Sequence, residues 1–391
     1  MLKVLIISPF SLEYGRGGEL SSIELATGLQ KYFKITLIDT NRLLSEKAFS
    51  DIAIKKKLKG LKVKSRIKFA TIKVFNRNLD FPFPWEVLRL YRTVKKNDII
   101  YFSTSNFKMD LILMMFSLLH RQAKFIIGYR KPLYSEKLLS LYNFKYRLSI
   151  LFFSLFKRRF YHHTISYHAK KFLDNFYNPK KVIHIIHGIN LKFYKDKEIK
   201  KRKNDTLKFL YVGYLDDVHK GIGVLLNAIE QLLENNRNLK LSFEFCGVGP
   251  LESELKKLEK KFPQLIKYNG YVSNDNISQY YKRNDIFLFS SRREPFGRVI
   301  VEALAAQLLI LCTKTYGSIE ILSGKDFAFF FRELSIEAII DKIIEVYNLW
   351  INNPKKFKIL QKSAKEYAFQ NYAFSKELEM FKSLINKFTN T

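Results

Sequence analysis

Short, uninterrupted apolar runs recur along the whole chain, separated by segments in which apolar residues return every three or four positions. The runs predict strands that are buried on both faces, and the longer spacing predicts helices. The predicted strands of the first half are Val4–Ser8, Ile35–Asp39, Ile99–Phe102, Phe125–Ile127, Thr164–Ser166 and Val182–Ile186. Those of the second half are Phe209–Val212, Leu241–Cys246, Ile266–Asn269, Ile286–Phe289, Leu309–Cys312 and Ala328–Phe330. Predicted helices of the first half include Glu19–Lys31, Pro84–Lys95 and Met109–Leu119.

Strands that alternate with helices in both halves predict two doubly wound α/β domains with parallel sheets. The charged, apolar-poor segment 194–205 is interpreted as a linker. We therefore expect an N-terminal domain over residues 1–195 and a C-terminal domain over residues 206–373. A last helix, within residues 374–391, is expected to cross back to the first domain.

Glycines follow several of the predicted strands, where open α/β sheets bind ligands. They are Gly15, Gly17 and Gly18 in the first half, and Gly213, Gly247, Gly249 and Gly297 in the second. We expect these loops to converge on one cleft between the two domains. A purely structural use in tight turns is the alternative for any single glycine.

Composition narrows the class of protein. A chain of 391 residues with 47% hydrophobic residues is long enough for two packed cores. Two cysteines in apolar surroundings, Cys246 and Cys312, indicate neither a disulfide framework nor a metal cluster and favour a reducing cytosol. The longest apolar stretches, Met109–Leu119 and Leu148–Phe156, are shorter than the roughly 20 residues that span a bilayer. The first residues are too short an apolar run for a signal peptide.

Positive charge is concentrated in the first half. The net charge is +32, and residues 1–200 hold 39 Lys and Arg against 14 Asp and Glu, a balance of +25. Such a field attracts an anionic membrane surface, nucleic acid or an anionic substrate. Two segments, Lys55–Arg77 and Tyr146–Arg159, mix basic with apolar residues as an interfacial segment does.

Two carboxylates flank a predicted helix start in the C-terminal half. Glu294 precedes Gly297, and Glu302 follows in the helix that begins there. A helix start presents backbone N–H groups and a positive dipole end to an anion. Amides for phosphate and carboxylates for sugar hydroxyls would together suit a nucleotide-sugar. Alone, the pair is better explained as ordinary solvated charges that flank a helix cap, because two Glu at a fixed gap recur by chance in a chain of this length.

The ordered set of motifs resembles retaining glycosyltransferases of the GT-B fold, in the large family 4 (glycosyl transferases group 1). The resemblance covers nearly the whole chain. Its motifs are Gly17-Gly18-Glu19, Val182 to Asn190 with Phe193, Tyr211 to Leu215, His219-Lys220-Gly221, Cys246 to Pro250, Gly270-Tyr271-Val272, Glu294 to Glu302, Tyr316 to Glu320, and the helix from Phe374 to Phe388.

The resemblance implies a role for each matching residue. Lys220 would neutralise the departing diphosphate, Glu302 would bind the ribose hydroxyls and Glu294 would bind hydroxyls of the transferred sugar. Glu294 and Lys220 are thus the expected catalytic residues. The expected donor-binding residues are Gly17, Gly18, Gly213, Tyr214, His219, Lys220, Gly249, Phe296, Gly297, Arg298 and Glu302. No Asp-x-Asp pair occurs, so neither a metal nor another cofactor is expected.

The chain departs from the family pattern at several positions. Tyr214 stands where a basic residue is common, with His219 or Arg298 as possible substitutes. Gln307 and Leu309 stand where Gly and Pro are usual. A His that often follows the strand at Phe125–Ile127 is replaced by Gly128-Tyr129-Arg130, which leaves open the group that meets the anomeric centre.

The function expected from these features is sugar transfer, with retention, from a nucleotide-sugar to a membrane-associated glycan or lipid acceptor. The protein would be cytoplasmic and peripheral on the inner face of the membrane, docked through its basic first domain, with no nucleic acid as partner. Two alternatives stay open: a nucleic-acid-binding α/β protein, supported by charge alone, and a GT-B protein that binds a partner and has lost catalysis. The sequence names neither the sugar, the nucleotide, the acceptor nor the oligomeric state.

Overall fold

A computed structural model describes residues 1–8, 12, 17–40, 63–67, 69–74, 77–130, 141–156, 159–194 and 206–388. The chain forms two compact units, one made of Met1–Ile186 with Glu377–Thr391 and the other of His187–Lys376. The boundary between them falls at residue 186 rather than at the predicted 195. Residues 187–194 belong to the second unit, in which Ile189 pairs with Ala373 in a parallel β-bridge. The predicted linker itself, from residue 195 to 205, lies outside the described residues.

The first unit is built on a parallel sheet whose described strands lie in the order β3-β2-β1-β6-β7-β8-β9. An antiparallel pair, β4 and β5, is inserted after β3. The strands are β1 Lys3–Ile7, β2 Lys34–Thr40, β3 Val63–Ile67, β4 Phe69–Val74, β5 Arg77–Pro82, β6 Ile99–Phe102, β7 Lys124–Tyr129, β8 Phe160–Thr164 and β9 Val182–His184. The helices between them are α1 Gly17–Leu29, α2 Pro84–Val94, α3 Phe107–Leu119, α4 Leu141–Leu155 and α5 Tyr167–Asp174.

The second unit has a parallel sheet of order β12-β11-β10-β13-β14-β15. Its strands are β10 Leu207–Val212, β11 Leu241–Cys246, β12 Ile266–Tyr268, β13 Ile286–Phe289, β14 Leu309–Cys312 and β15 Ala328–Phe330. Its helices are α6 Asp217–Lys220, α7 Ile222–Asn235, α8 Glu252–Lys261, α9 Ile277–Lys282, α10 Arg298–Ala305, α11 Tyr316–Leu322, α12 Ile336–Asn352 and α13 Pro354–Asn371. The last helix, α14 Phe374–Lys387, ends in the first unit.

Both sheets are covered by helices on both faces, which explains why their strands read as continuous apolar runs. In the first unit, α2, α3, α4 and α5 contribute to one core cluster, and α1 and α14 contribute to the other. The predicted fold class, two doubly wound parallel α/β units, is confirmed.

The structure corrects one predicted strand and adds others. The prediction of a strand over residues 164–166 is wrong, because β8 ends at Thr164 and Ser166 caps α5 by accepting a hydrogen bond from the N–H of Ala169. The strand was displaced in the prediction because His162 and His163, which read as polar, are fully buried in it. Strands β3, β4 and β5 were not predicted.

The two basic–apolar segments are described only in part. Residues 55–62, 68, 75 and 76 lie outside the described residues, and the rest of that segment contributes β3, β4 and the first residue of β5. The second segment includes most of α4, and Lys157 and Arg158 lie outside the described residues. Within the described ranges, no helix is both long enough and apolar enough to cross a bilayer.

Candidate active site

The sheet of the second unit reverses its strand order between β10 and β13, and open α/β sheets bind ligands at such a point, beyond the carboxyl ends of the strands. Several hydrogen bonds join the chain segments that follow these two strands. Ser290 Oγ donates to the carbonyl oxygen of Lys220 at 2.7 Å, and the N–H of Arg292 donates to that of His219 at 2.8 Å. The segments after β10 and β13 therefore form one structure at the carboxyl edge.

The loop after β11 packs its backbone directly against the loop after β10. Gly247 has a φ of +147°, and a Cβ atom there would lie 1.8 Å from the carbonyl oxygen of Gly213. A Cβ atom at Gly249 would lie 2.6 Å from the carbonyl oxygen of Leu215. Such distances exclude any side chain, so packing alone explains both glycines of this loop. Gly249 thus lies at the carboxyl edge of the sheet, as predicted, and the packing of the two loops requires a glycine there.

Asp216 and Asp217, two acidic residues in the loop that precedes Lys220, are engaged by the local backbone. The Asp216 carboxylate caps α6 by accepting from the N–H groups of His219 at 2.6 Å and Lys220 at 3.2 Å. The Asp217 carboxylate accepts from the N–H of Gly223 at 3.0 Å. These contacts fix the short helix that carries Lys220.

Lys220 and Glu294 contact each other directly. The Lys220 Nζ atom lies 2.7 Å from Glu294 Oε2, and the carbonyl oxygen of Glu294 accepts from the N–H of Gly317 at 3.0 Å. The two side chains are 26% and 17% exposed, so a ligand can reach both. The structure therefore brings the two predicted catalytic residues together in one ion pair, a contact that the sequence did not reveal.

Glu302 lies in the second turn of α10, where Arg298 and Tyr281 donate to its carboxylate. Arg298 Nε lies 3.1 Å from Oε1, and the Tyr281 hydroxyl donates to Oε2 at 3.2 Å. Tyr281 is fully buried, and burial together with the negative charge of Glu302 raises its pKa well above 10, which keeps it a donor. Tyr281 was not predicted as a site residue, because an aromatic residue on an amphipathic helix reads as core.

The start of α10 is shaped by Gly297, whose φ of +93° favours glycine. The preceding Phe296 is buried, and its ring meets the rings of His187 and Tyr372 edge-on at centroid distances of 5.5 and 5.9 Å. A Cβ atom at Gly317 would lie 2.2 Å from the Phe296 carbonyl oxygen. The Phe296 ring is thus part of the core. Its packing holds the start of α10 in place.

Tyr214 and His219 occupy the loop whose usual basic residue is absent. The carbonyl oxygen of Tyr214 accepts from the Tyr211 hydroxyl at 3.0 Å. The His219 ring is largely exposed, with Nδ1 3.6 Å from the Asp216 carboxylate. Of the two possible substitutes, Arg298 is paired with Glu302 and His219 faces Asp216.

In the first unit, α1 begins at Gly17, directly before the exposed Gly18. A Cβ atom at Gly18 would meet no atom within 4 Å, and its φ lies outside the left-handed region. Neither packing nor backbone geometry requires glycine there, although glycine weakens a helix relative to alanine by about 0.5–1 kcal/mol. An open approach to the backbone is the property that this residue supplies.

The carboxyl end of β7 carries a hydrogen-bonded chain that the sequence did not reveal. The Arg130 guanidinium donates to Ser21 Oγ in α1 and, at 3.2 Å, to the Tyr101 hydroxyl, which lies 2.9 Å from His163 Nδ1. Burial raises the pKa of Tyr101, and the positive charge of Arg130 opposes that rise. Arg130 therefore lies where the family often places a His, beside the first turns of α1.

Among the described residues, no group of three or more His, Cys, Asp and Glu is placed to hold a metal ion. The expected independence of metal and cofactor stays a prediction.

Comparison with known proteins places this geometry in context. Residues 193–368 match the family model of glycosyl transferases group 1. Alpha-monoglucosyldiacylglycerol synthase of Acholeplasma laidlawii is 31% identical over 220 residues, 51% of this chain and 52% of the relative. The capsular polysaccharide biosynthesis glycosyltransferase CapM of Staphylococcus aureus is 27% identical over 148 residues, 37% of this chain and 38% of the relative. The chain thus spans about half or less of these two relatives.

The likeness to solved structures extends over the whole chain. The Anabaena protein HepE, solved in complex with UDP and glucose, has a TM-score of 0.74 at 18% identity, covering 99% of this chain and all of HepE. At that identity the likeness establishes the fold. The chain thus has the GT-B fold, and its second unit is similar in sequence to the glycosyl transferases group 1.

Proposed function

We propose that the protein is a retaining, family 4 glycosyltransferase that transfers a sugar from a nucleotide-sugar to a membrane-associated glycan or lipid. The observation that carries the proposal is the contact between Lys220 and Glu294 at the strand-order reversal of the second sheet, in the segment that leads into the helix of Glu302. All three residues fall within the region that matches the glycosyl transferases group 1. HepE, a structural neighbour, was solved with UDP and glucose, which supports a nucleotide-sugar donor.

In the proposed reaction, the bond between the anomeric carbon and the diphosphate oxygen breaks, and the diphosphate keeps the electron pair. A bond from the anomeric carbon to the acceptor hydroxyl oxygen forms on the same face, and the hydroxyl proton is released. Lys220 stabilises the charge that develops on the diphosphate. Its ammonium has three donors, so it can retain the bond to Glu294 while binding phosphate oxygens.

In this proposal the two carboxylates bind different parts of the donor. Glu294 accepts from hydroxyls of the transferred sugar, and Glu302 accepts from the ribose. Arg298 and Tyr281 fix the Glu302 carboxylate before the donor arrives, which lowers the entropy lost on binding. In this proposal neither a metal nor another cofactor takes part.

The acceptor side of the proposal rests on the relatives and on charge. Relatives of the chain include an alpha-monoglucosyldiacylglycerol synthase and a capsular polysaccharide biosynthesis glycosyltransferase, which supports a lipid or glycan acceptor. The balance of +25 in residues 1–200 supports docking on the inner face of an anionic membrane, as a peripheral protein.

A donor screen tests the activity. The purified chain is incubated with several nucleotide-sugars, with and without total lipid or glycan extract as acceptor, and release of nucleoside diphosphate is measured. Release that depends on one donor and is lost in Lys220→Ala supports the proposal. Binding of a nucleoside diphosphate without turnover of any donor would favour the non-catalytic GT-B alternative, and absence of both would overturn the assignment of the site.

A further inference from the structure

The outer surface of the helices α2, α3 and α4 in the first unit is unlike the outer surface of an ordinary α/β protein. The inner sides of these helices pack into the same core cluster, which includes Leu90, Leu113 and Phe153. Their other sides therefore face away from the sheet. We call this outer surface the α2–α4 face.

Each of the three helices exposes large apolar side chains, between 43% and 68% of each side chain. They are Trp85, Leu88, Met115, Leu118, Leu119, Leu151 and Leu155. Single exposed apolar residues are common on soluble proteins, but a group on adjacent helices marks an interaction surface.

Contacts between the helices make this group continuous. Tyr91 of α2 packs on Phe116 of α3, with ring centroids 5.1 Å apart. The Arg159 guanidinium, four residues beyond α4, donates to the Ser117 carbonyl oxygen of α3 at 2.6 Å. The C-terminal ends of α3 and α4 therefore lie side by side, and so do the exposed leucines that they carry.

The exposed charges of the α2–α4 face are positive. Over the described side chains of the three helices and the adjoining residues 95–96 and 121, the exposed ionisable residues are Arg89, Arg92, Lys95, Lys96, Arg121 and Arg147. The acidic residues of the helices are buried: Glu86 accepts from Arg89, and Asp110 accepts from the Ser105 hydroxyl at 2.7 Å. Asp98, an exposed acid shortly after the end of α2, accepts from the backbone N–H of Lys3 at 2.8 Å.

We propose that the α2–α4 face docks the protein on an anionic lipid bilayer, with the leucines and Trp85 in the interface and the basic residues on lipid phosphates. Apolar side chains ringed by Lys and Arg are typical of surfaces that lie in a membrane interface, and Trp is enriched there. Binding to nucleic acid would account for the basic residues but not for the exposed leucines. The proposal rests on the proposed function, because it adds the surface that brings the protein to its membrane-associated acceptor. Binding to the membrane itself requires no turnover.

Vesicle sedimentation of the full chain tests this surface. We expect binding to phosphatidylcholine vesicles that contain phosphatidylglycerol, little binding to pure phosphatidylcholine, and weakening with salt. Each basic residue near such a surface contributes about 1 kcal/mol, or roughly fivefold in affinity, so Arg92→Gln with Lys96→Gln should weaken binding about 25-fold. Leu118→Ser with Leu155→Ser should weaken it at low and high salt alike.

Matched variants on the second unit serve as controls. Lys355→Gln with Lys358→Gln removes two exposed charges, and Ile351→Ser with Ile359→Ser replaces two exposed apolar residues. We expect both to bind like the wild type. Equal losses in control and α2–α4 variants, or none in either, would overturn the choice of this surface.

Trp85 provides a direct reporter, because the chain has only one other tryptophan, Trp350. In Trp350→Phe, emission from Trp85 should shift to shorter wavelength on anionic vesicles and stay unchanged on neutral ones. An unchanged spectrum on vesicles that sediment the protein would contradict insertion of this face. Tighter binding to duplex DNA than to anionic vesicles would overturn the proposal and indicate nucleic acid as the partner of this surface.

The test also separates this inference from the proposed function. Release of nucleoside diphosphate with a detergent-solubilised acceptor should be unchanged in all the α2–α4 variants. Vesicle binding without any transferase activity would leave the surface standing and remove the proposed function.

Discussion

Glu302 is the residue of the candidate site whose surroundings the structure defines most fully. Its carboxylate is fixed by Arg298 and by the buried hydroxyl of Tyr281, so it presents its oxygens in one orientation. A carboxylate that is held in place before the ligand arrives binds hydroxyls with less loss of side-chain entropy.

We expect Glu302→Ala to weaken binding of a nucleoside diphosphate by about 10- to 150-fold, since hydrogen bonds to charged groups contribute about 1.5–3 kcal/mol. Calorimetric titration measures this directly. Tyr281→Phe keeps the carboxylate but removes one of its anchors, so a smaller loss is expected. Unchanged affinity in Glu302→Ala would exclude the ribose role.

Lys220 and Glu294 should act on different parts of the donor although they touch each other. We expect Lys220→Ala to lower turnover about 10²–10³-fold, as loss of a donor that stabilises a developing oxyanion does. Glu294→Ala should lower turnover more than it lowers affinity for free nucleoside diphosphate. Steady-state kinetics and titration of both variants measure the two effects.

The double variant shows whether the ion pair matters in itself. Because the residues are 2.7 Å apart, their effects on turnover should not be additive. Turnover of Lys220→Ala within about twofold of the wild type would mean that other groups neutralise the leaving group.

At the scale of elements, the end of α10 holds a strained residue. Gln307, which stands where the family usually has Gly, has a φ of +65°, and the other described residues with positive φ are glycines. The left-handed conformation costs a residue with a Cβ atom about 1–2 kcal/mol, and glycine loses about 0.5–1 kcal/mol more conformational entropy on folding.

Gln307→Gly should therefore raise the free energy of unfolding of the second unit by about 0.5–1 kcal/mol, the difference between these two effects. Chemical denaturation followed on the second unit measures it. Gln307→Ala keeps the strain and serves as the control, and equal stability of the Gly and Ala variants would contradict the explanation.

Strand β8 contains a buried histidine that makes the first unit sensitive to acid. His162 stacks on the Tyr177 ring at 3.7 Å, and burial, followed by the charge of Lys181, lowers the pKa of His162 to about 3. Between pH 6.5 and 3 the unfolded chain binds a proton at this residue while the folded chain does not. The protonation of His162 therefore has no effect on the stability of the first unit above about pH 6.5, and it lowers that stability progressively as the pH falls below this value.

We expect His162 to destabilise the first unit by about 2 kcal/mol at pH 5 relative to pH 7.5, from 1.36 kcal/mol per pH unit. Denaturation at both pH values, compared with His162→Gln, isolates this contribution. A pH dependence that is the same in the variant and in the wild type would contradict the lowered pKa.

The elements that sequence could predict are those whose side chains face a core on both sides. The strands of the second sheet were predicted closely, because helices cover both of its faces. Strand β8 was displaced because buried histidines read as polar. The pairing of Lys220 with Glu294 depends on a contact between segments 74 residues apart. The candidate site residues were chosen from the order of motifs along the chain, whereas the partners of their side chains required the fold.

At the scale of the whole molecule, the chain passes from the first unit to the second and returns. Its last helix, α14, packs on the face of the first sheet that α1 also covers. Phe381, Leu384 and Ile385 of this helix are buried, and Phe381 contacts the Tyr101 ring at 5.4 Å. The first unit is therefore incomplete until the last residues of the chain are added.

A chain that ends after Lys376 should leave the first unit unfolded and the second unit folded. Burying each large apolar side chain contributes about 1.5–3 kcal/mol, so three of them approach the 5–15 kcal/mol by which a domain is stable. Hydrogen exchange should then show lost protection in β1, β2 and β6 and retained protection in β10, β11 and β13. The milder Phe381→Ala should lower the stability of the first unit alone by about 3–5 kcal/mol. Equal loss of protection in both sheets would mean that the two units unfold together, whichever of them loses its packing.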